Sequence, residues 1–385
     1  MQFADPPALE ANPWSWNNFT NNLFIESPAG VGFSYCDTAA GCAHDDNSTA
    51  QDNLAAVLSF FKAYPELQAS KFWITGESYA GIYIPMLAYA IYQYNAGGGT
   101  PQVNLKGIAV GNGCIGHSAG HCGRDPTGLN ALHDVEMIRG HGAMSRDVYN
   151  AIISNCSSNW AAPTPSCYAA LDMVDIGEID VYDFYNTCSD PAMTRRLRAP
   201  LGEDSLLARL LERRAQRAAA LGLPPDPNCF STAAPLQAYM NQASVKAALN
   251  VAADIEWAVC DNNGTFSYRR DYADERTVIY PTLINQAKID VLIYNGEADL
   301  CVPYTDNEYW TESMGYTATQ SWAPWSVPGQ VGNGPYVGGY STRYDTGGAN
   351  HFTFATVRGA GHMVPEVRPE PAYELLRSFI TTGTL

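Results

Sequence analysis

Ser78 lies in the run Trp73-Ile74-Thr75-Gly76-Glu77-Ser78-Tyr79-Ala80-Gly81, and its hydroxyl is a candidate nucleophile. A serine hydroxyl attacks a carbonyl only when a base takes its proton, and the base needs a third group to fix its tautomer. Both partners are available downstream. His362 follows the apolar run Phe354-Ala355-Thr356-Val357 across a small-residue loop, Gly359-Ala360-Gly361, and precedes a helix-like pattern from Pro371 to Ile380. The other six histidines, His44, His117, His121, His133, His141 and His351, read as surface or loop residues. A second apolar run, Val291-Leu292-Ile293-Tyr294, ends in Asn295-Gly296-Glu297-Ala298-Asp299, where Glu297 and Asp299 compete to be the orienting carboxylate. A hydroxyl, an imidazole and a carboxylate in one row are the machinery of covalent acyl transfer.

The elements around Ser78 suit that role. Lys71 to Thr75 is β-prone, and Ile82, Ile84, Met86, Leu87, Tyr89 and Ile91 follow in a helix-like pattern. Strand, tight turn with the serine at its tip, then helix is the setting of a nucleophile elbow. Gly76, Ala80 and Gly81 leave room for the strained turn. The helix N-terminus aims partial positive charge at developing negative charge.

Along the rest of the chain, Leu23 to Glu26 reads as a strand and Asp45 to Thr49 as helix caps, followed by Leu54, Val57, Leu58, Phe60 and Phe61 at helical spacing. Val103 to Val110 is a further strand, closed by Gly111-Asn112-Gly113. From about 116 to 240 the character changes to helical patterns with cysteines between them. There Thr194 to Arg217 holds seven of the 22 Lys and Arg residues, interleaved with leucines. Core-like patterns return from 241, with Val245 to Leu249 helical and Gly329 to Gly348 reading as a hairpin or long surface loop.

The 385-residue chain is 46% hydrophobic, ample for a core in a large α/β unit. No apolar run reaches membrane-spanning length. A net charge of −17 argues against nucleic acid as a partner and suits an acidic compartment. Ten cysteines exceed what a reduced cytosolic enzyme needs. Cys36 with Cys42, Cys114 with Cys122, Cys156 with Cys167, and Cys188 with Cys229 are proposed pairs, although sequence alone does not fix connectivity. Cys114, His117, His121 and Cys122 also permit a zinc reading, at an unusual spacing. Sequons at Asn18, Asn47, Asn155 and Asn263 agree with a secretory route.

Six runs together carry a resemblance. These are Asn12-Pro13-Trp14-Ser15-Trp16, Glu26 to Tyr35, Gly76 to Gly81, Gly111-Asn112-Gly113, Asn295 to Asp299, and Gly361-His362-Met363-Val364-Pro365. From about residue 12 to the end the chain resembles the serine carboxypeptidases of lysosomes, vacuoles and plant secretions. The resemblance implies an α/β-hydrolase fold with a helical cap insertion: 1–115 as the first half of the core, 116–240 as the cap, and 241–385 as the second half. It implies Ser78 as nucleophile, His362 as base and Asp299, ahead of Glu297, as its orienter. The Tyr79 N–H would supply half of an oxyanion hole. Glu77 would meet the terminal carboxylate of a peptide or protein, with Cys301 and Met363 forming side-chain pockets. Two carboxyl groups in contact raise one pKa, so binding would favour acidic pH. No cofactor or metal is implied. Cys301, two residues past Asp299, reads as a free thiol. The Arg-rich 194–217 stretch is an excisable linker by the resemblance, or a solvated basic helix by its residues. A homodimer stays open.

One family segment, Trp-x-Asn-Gly-Gly-Pro-Gly-Cys-Ser-Ser ahead of the Asn-Pro run, is not found. The expectation is a chain lacking its N-terminal segment and strands, with an oxyanion donor lost, apolar surface on 22–26 uncovered and Cys260 left without a partner. The same triad would also serve an acyltransferase, and an impaired form would serve as a partner protein.

Overall fold

The computed structural model describes residues 9–115, 122, 127–157, 159–187, 205–221, 233–259, 267–270, 278–329 and 334–385. In chain order its strands are β1 (Ala43–Asp45), β2 (Phe72–Glu77), β3 (Leu105–Gly111), β4 (Ile179–Asp180), β5 (Asp183–Thr187), β6 (Ser267–Arg269), β7 (Asp290–Gly296), β8 (Ala318–Val327), β9 (Tyr336–Tyr344) and β10 (Phe352–Val357). The helices that matter below are α1 (Asp46–Ala63), α2 (Ala80–Ala96), α3 (Leu129–Gly140), α4 (Leu206–Leu221), α5 (Tyr304–Ser313), α6 (Val364–Val367) and α7 (Pro369–Thr382). The chain divides into two compact units, Met1–Gln68 with Phe230–Asp271, and Ala69–Cys229 with Tyr272–Leu385.

In the first unit, α1 begins where the sequence places its caps. The Asp45 carboxylate accepts from the Ser48 N–H while Ser48 Oγ accepts from the Asp45 N–H, a reciprocal box that satisfies two donors at the helix start. Asp46, Ala50, Leu54, Val57 and Phe61 are buried along one face, as the helical period requires. β1 pairs in parallel with β6, and Arg269 and Tyr268 bind Asp45 and Asp46 at 2.7 Å each. Two expectations fail here. Leu23 to Glu26 forms no strand: no ladder partner pairs with it among the described residues, and Leu23, Phe24 and Ile25 are exposed. An extended segment without a partner gains no sheet hydrogen bonds. Instead the Glu26 carboxylate accepts from the Phe33 N–H at 2.5 Å and the Trp257 indole at 2.7 Å. His44 is buried rather than exposed, donating from Nε2 to the Ala29 carbonyl at 2.9 Å.

The second unit is built on a six-stranded sheet of order β2-β3-β7-β10-β9-β8. β2, β3, β7 and β10 are parallel, and β9 and β8 continue antiparallel. The stretch from Gly329 to Gly348 therefore contains a sheet strand, with β8 and β9 as a hairpin. β7 and β10 are buried at almost every position, as strands covered on both faces are. Phe352, Phe354 and Phe379 are fully buried, each contributing about 1.5–3 kcal/mol of transfer free energy. Phe379 of α7 meets Trp73 of β2 edge-on at 5.9 Å, which docks the C-terminal helix to the sheet.

β3 and β7 are neighbours in the sheet, yet 178 residues, 112 to 289, separate them in sequence. This stretch carries α3, the β4–β5 hairpin and α4. In α4, Leu206, Leu207, Leu210 and Leu211 are buried. Arg209 and Arg213 both bind the Asp172 carboxylate, and Arg214 is buried and donates to the Ile179 carbonyl at 2.7 Å. Arg213-Arg214 is thus a packed anchor rather than an exposed cleavage site or a fully solvated face. Arg195 and Arg196 lie outside the described residues.

Three of the four proposed disulfides are present: Cys36–Cys42, Cys114–Cys122 and Cys156–Cys167. Cys188, Cys229 and Cys260 lie outside the described residues, as do His117 and His121. Because the Cys114 and Cys122 sulfurs are bonded to each other, neither can act as a zinc thiolate, and the zinc reading falls. His133 also departs from expectation. It is buried inside α3, because α3 packs on α5, and its Nδ1 lies 3.3 Å from Asp306.

Candidate active site

β2 delivers Ser78 to the start of α2. Ser78 has φ +65°, a left-handed conformation that costs a non-glycine residue about 1–2 kcal/mol. The surrounding backbone fixes it there. Its N–H donates to the Gly111 carbonyl at 2.9 Å, and its carbonyl accepts from Gly81 at 2.9 Å and Cys114 at 3.0 Å. Two glycines make this possible. A Cβ at Gly76 would lie 2.7 Å from the Ala80 Cβ, and one at Gly81 would overlap the Cys114 backbone. Tyr79 is the N-cap residue of α2.

Asp299 and His362 lie in the turns that follow β7 and β10, strands paired in register up to Gly296 and Val357. His362 Nδ1 donates to Asp299 Oδ2 at 2.6 Å, and both side chains are buried. Asp299 is saturated with donors: Oδ2 also accepts from Asn112 Nδ2 at 2.8 Å and the Val302 N–H at 3.2 Å, and Oδ1 from the Cys301 N–H at 2.8 Å. Glu297 turns away and accepts from the Gly359 N–H at 3.0 Å. The two turns nearly touch, since a Cβ at Gly296 would lie 2.0 Å from the Gly361 carbonyl oxygen. Ser78 directly follows β2, which lies two strands from β7; among the described residues no hydrogen bond joins its Oγ to His362.

Beside Ser78, the half-buried Glu77 carboxyl is raised to about 7. Burial is the main cause. The His362 charge opposes it, Asp299 and Glu366 add to it, and a hydrogen bond from the Val364 N–H lowers it again.

A family model described as serine carboxypeptidase matches residues 1–382. The chain belongs to the serine carboxypeptidase family. It is 31% identical to Serine carboxypeptidase 1 of Hordeum vulgare, covering 98% of this chain and 77% of the relative. It is also 31% identical to the Lysosomal protective protein of Mus musculus, covering 98% and 78%. A prohormone-processing carboxypeptidase from Saccharomyces cerevisiae superposes with a TM-score of 0.64 at 20% identity, over 96% of this chain and 76% of that one. The fold is that of the α/β-hydrolases.

In this serine carboxypeptidase chain, charge around His362 is dense. Burial disfavours the His362 imidazolium, but Asp299, then Glu77 and Asp180, outweigh it and raise the pKa above its ordinary value. Cys301 is a free, buried thiol, pushed well up by burial and by the Asp299 charge. Met363 follows His362 and caps α6, with its carbonyl accepting from Glu366 and Val367 at 3.0 Å.

Sequence reasoning missed two contributors. Asn112, in the Gly-Asn-Gly run, is fully buried with φ +40°. Its Oδ1 accepts from the Gly296 N–H at 2.9 Å while its Nδ2 holds Asp299. A polar residue between two glycines at a strand end was the available signal. Tyr182 packs its ring 5.0 Å from the His362 imidazole and left no local signal. The acidic cavity of about 390 Å³ between α3 and α5, lined by His133, Glu136, Glu308 and Glu312, contains none of the residues around Ser78.

Proposed function

We propose that this chain hydrolyses the C-terminal peptide bond of peptides and proteins through an acyl-enzyme on Ser78. His362 takes the Ser78 proton as the oxygen attacks the scissile carbonyl, then returns it to the leaving amino acid. Asp299 holds the imidazole with Nδ1–H toward itself, leaving Nε2 as the base. The Tyr79 N–H stabilises the oxyanion. Glu77, neutral below about pH 7, donates a hydrogen bond to the substrate's terminal carboxylate, while Cys301 and Met363 help wall the side-chain pockets. The reacting form has Glu77 protonated and His362 neutral. Rate therefore follows a bell in pH whose limbs belong to the coupled pair.

The observation that carries this reading is the buried His362–Asp299 pair at 2.6 Å at the ends of adjacent strands, in the same unit as a strained serine elbow. Three disulfides, and a relative named for the lysosome, support a secretory-pathway location with an acidic destination. Among the described residues no helix is long and apolar enough to cross a membrane.

The test is incubation with N-blocked dipeptides and with a fluorophosphonate probe. Release of the C-terminal amino acid and probe labelling lost in Ser78→Ala are expected. Labelling equal in both proteins removes Ser78 from the mechanism, and transfer to an added alcohol without release assigns the site to acyl transfer.

A further inference from the structure

The β4–β5 hairpin has no duty in closing the sheet, yet it lies across both catalytic loops. The Leu300 N–H donates to the Val181 carbonyl at 2.9 Å, and the Phe184 N–H donates to the Ala298 carbonyl at 2.8 Å. These two bonds bracket Asp299 in sequence. Between them the Tyr182 carbonyl accepts the His362 N–H at 2.6 Å. One short segment thus joins the turn after β7 to the turn after β10.

The side chain of Tyr182 adds to this link. Its ring lies 5.0 Å from the His362 imidazole, tilted 54°, and its hydroxyl is within hydrogen-bonding reach of the buried Cys301 thiol. Gly361 makes the approach possible: a Cβ there would lie 2.3 Å from the Tyr182 carbonyl oxygen and 2.7 Å from the Asp183 Cβ. The hairpin is itself braced. Asp180 Oδ1 accepts from the Tyr182 N–H at 3.0 Å, Asp183 accepts from Tyr185 N–H and Asn186 Nδ2, and Arg214 of α4 holds the Ile179 carbonyl.

We infer that the β4–β5 hairpin is the positioning element of the Asp299–His362 pair, with Tyr182 as the positioning residue for the His362 ring. This rests on the carboxypeptidase reading of the same site. Loop ends after strands are free to shift, and a shift near 1 Å in a catalytic group costs about 10²-fold in rate. The hairpin removes that freedom by tying both loops to one rigid strip. The Tyr182 ring restricts rotation of the imidazole, and the Cys301 contact restricts the Tyr182 ring.

The experiment compares wild type, Tyr182→Phe and Tyr182→Leu in the full chain, with thermal unfolding as the fold control. Steady-state kinetics on an N-blocked dipeptide and the low-field proton NMR signal of His362 Nδ1–H are both read. Tyr182→Leu, which keeps apolar bulk but no ring plane, is expected to lower kcat about 10- to 100-fold with KM nearly unchanged, and to broaden or lose the low-field signal. Tyr182→Phe is expected to restore both within about threefold. A raised KM with unchanged kcat and an intact signal in Tyr182→Leu makes Tyr182 a pocket wall and overturns the proposal. If wild type neither cleaves the dipeptide nor takes a fluorophosphonate label, the carboxypeptidase reading fails. The NMR comparison still decides the hairpin, since an unchanged signal in Tyr182→Leu rejects it and a lost signal supports it.

Discussion

Asn112 and His362 donate to the same oxygen of Asp299, Oδ2, at 2.8 and 2.6 Å. The amide just past β3 therefore sets the direction of the carboxylate that holds the His362 ring. Its other end is fixed by the Gly296 N–H, so the Asn112 side chain cannot swing without leaving a buried donor or acceptor unpaired. Asn112→Ala is expected to lower kcat/KM about 5- to 100-fold, the range for an unsatisfied buried partner. Asn112→Asp, which tolerates the left-handed backbone, places a second carboxyl against Asp299 and is expected to lose more activity at high pH than at low pH. Steady-state pH profiles of the two variants check this.

Glu77 gives a pH dependence with a definite sign. Its pKa is raised from 4.5 to about 7, so it is neutral below that value and ionised above it. Substrates with a free terminal carboxylate should show KM rising as pH passes about 7, because two anions then face each other. Amidated substrates should show no such rise. Glu77→Gln is expected to flatten the KM profile. A rise that persists in Glu77→Gln assigns the effect to another group.

Ser78 sits at φ +65°, and the cost of that geometry is measurable apart from catalysis. Both Ser78→Ala and Ser78→Gly remove the hydroxyl, but only glycine relaxes in the left-handed region. Ser78→Gly is expected to be the more stable by about 1 kcal/mol, read by urea unfolding of the two variants. Equal stabilities would mean that the elbow relaxes elsewhere.

Glu308 on α5 faces Glu312 and, across the cavity, Glu136 and His133 of α3. Burial first, then the two glutamates, raise it from 4.5 to about 7, with His133 pulling the other way. A carboxyl whose pKa rises on folding contributes stability below its unfolded pKa and loses it as pH climbs through the folded value. The midpoint of thermal unfolding should thus fall between pH 5 and 8, with Glu77 acting in the same direction. Glu308→Gln is expected to narrow that fall by about 2 °C, measured by calorimetry at both pH values.

The elements that carry chemistry were legible because each is local. The Gly76-Glu77-Ser78-Tyr79-Ala80-Gly81 turn needs small residues within five positions of the serine, and the α1 caps lie three residues apart. His362 and Asp299 each end an apolar run, and strand ends are visible in composition. The Leu23–Glu26 segment shows the limit of such reading. Its residues favour a strand, but a strand exists only with a partner, and no local pattern reports one. His133 likewise reads as polar surface until α5 covers it.

The sequence by itself determined which residue types stand at the tips of three strands, and so which chemistry the chain could attempt. The resemblance already ranked Asp299 ahead of Glu297, but only the tertiary structure shows their contacts: spaced by two residues, one faces His362 and the other faces Gly359. It also brought in Asn112 from 187 positions away and Tyr182 from 180. The physical reason is the range of the forces involved. Turn strain and helix capping act within a few residues of chain, whereas hydrogen bonds and ring contacts act within a few ångströms of space, and only folding converts one distance into the other.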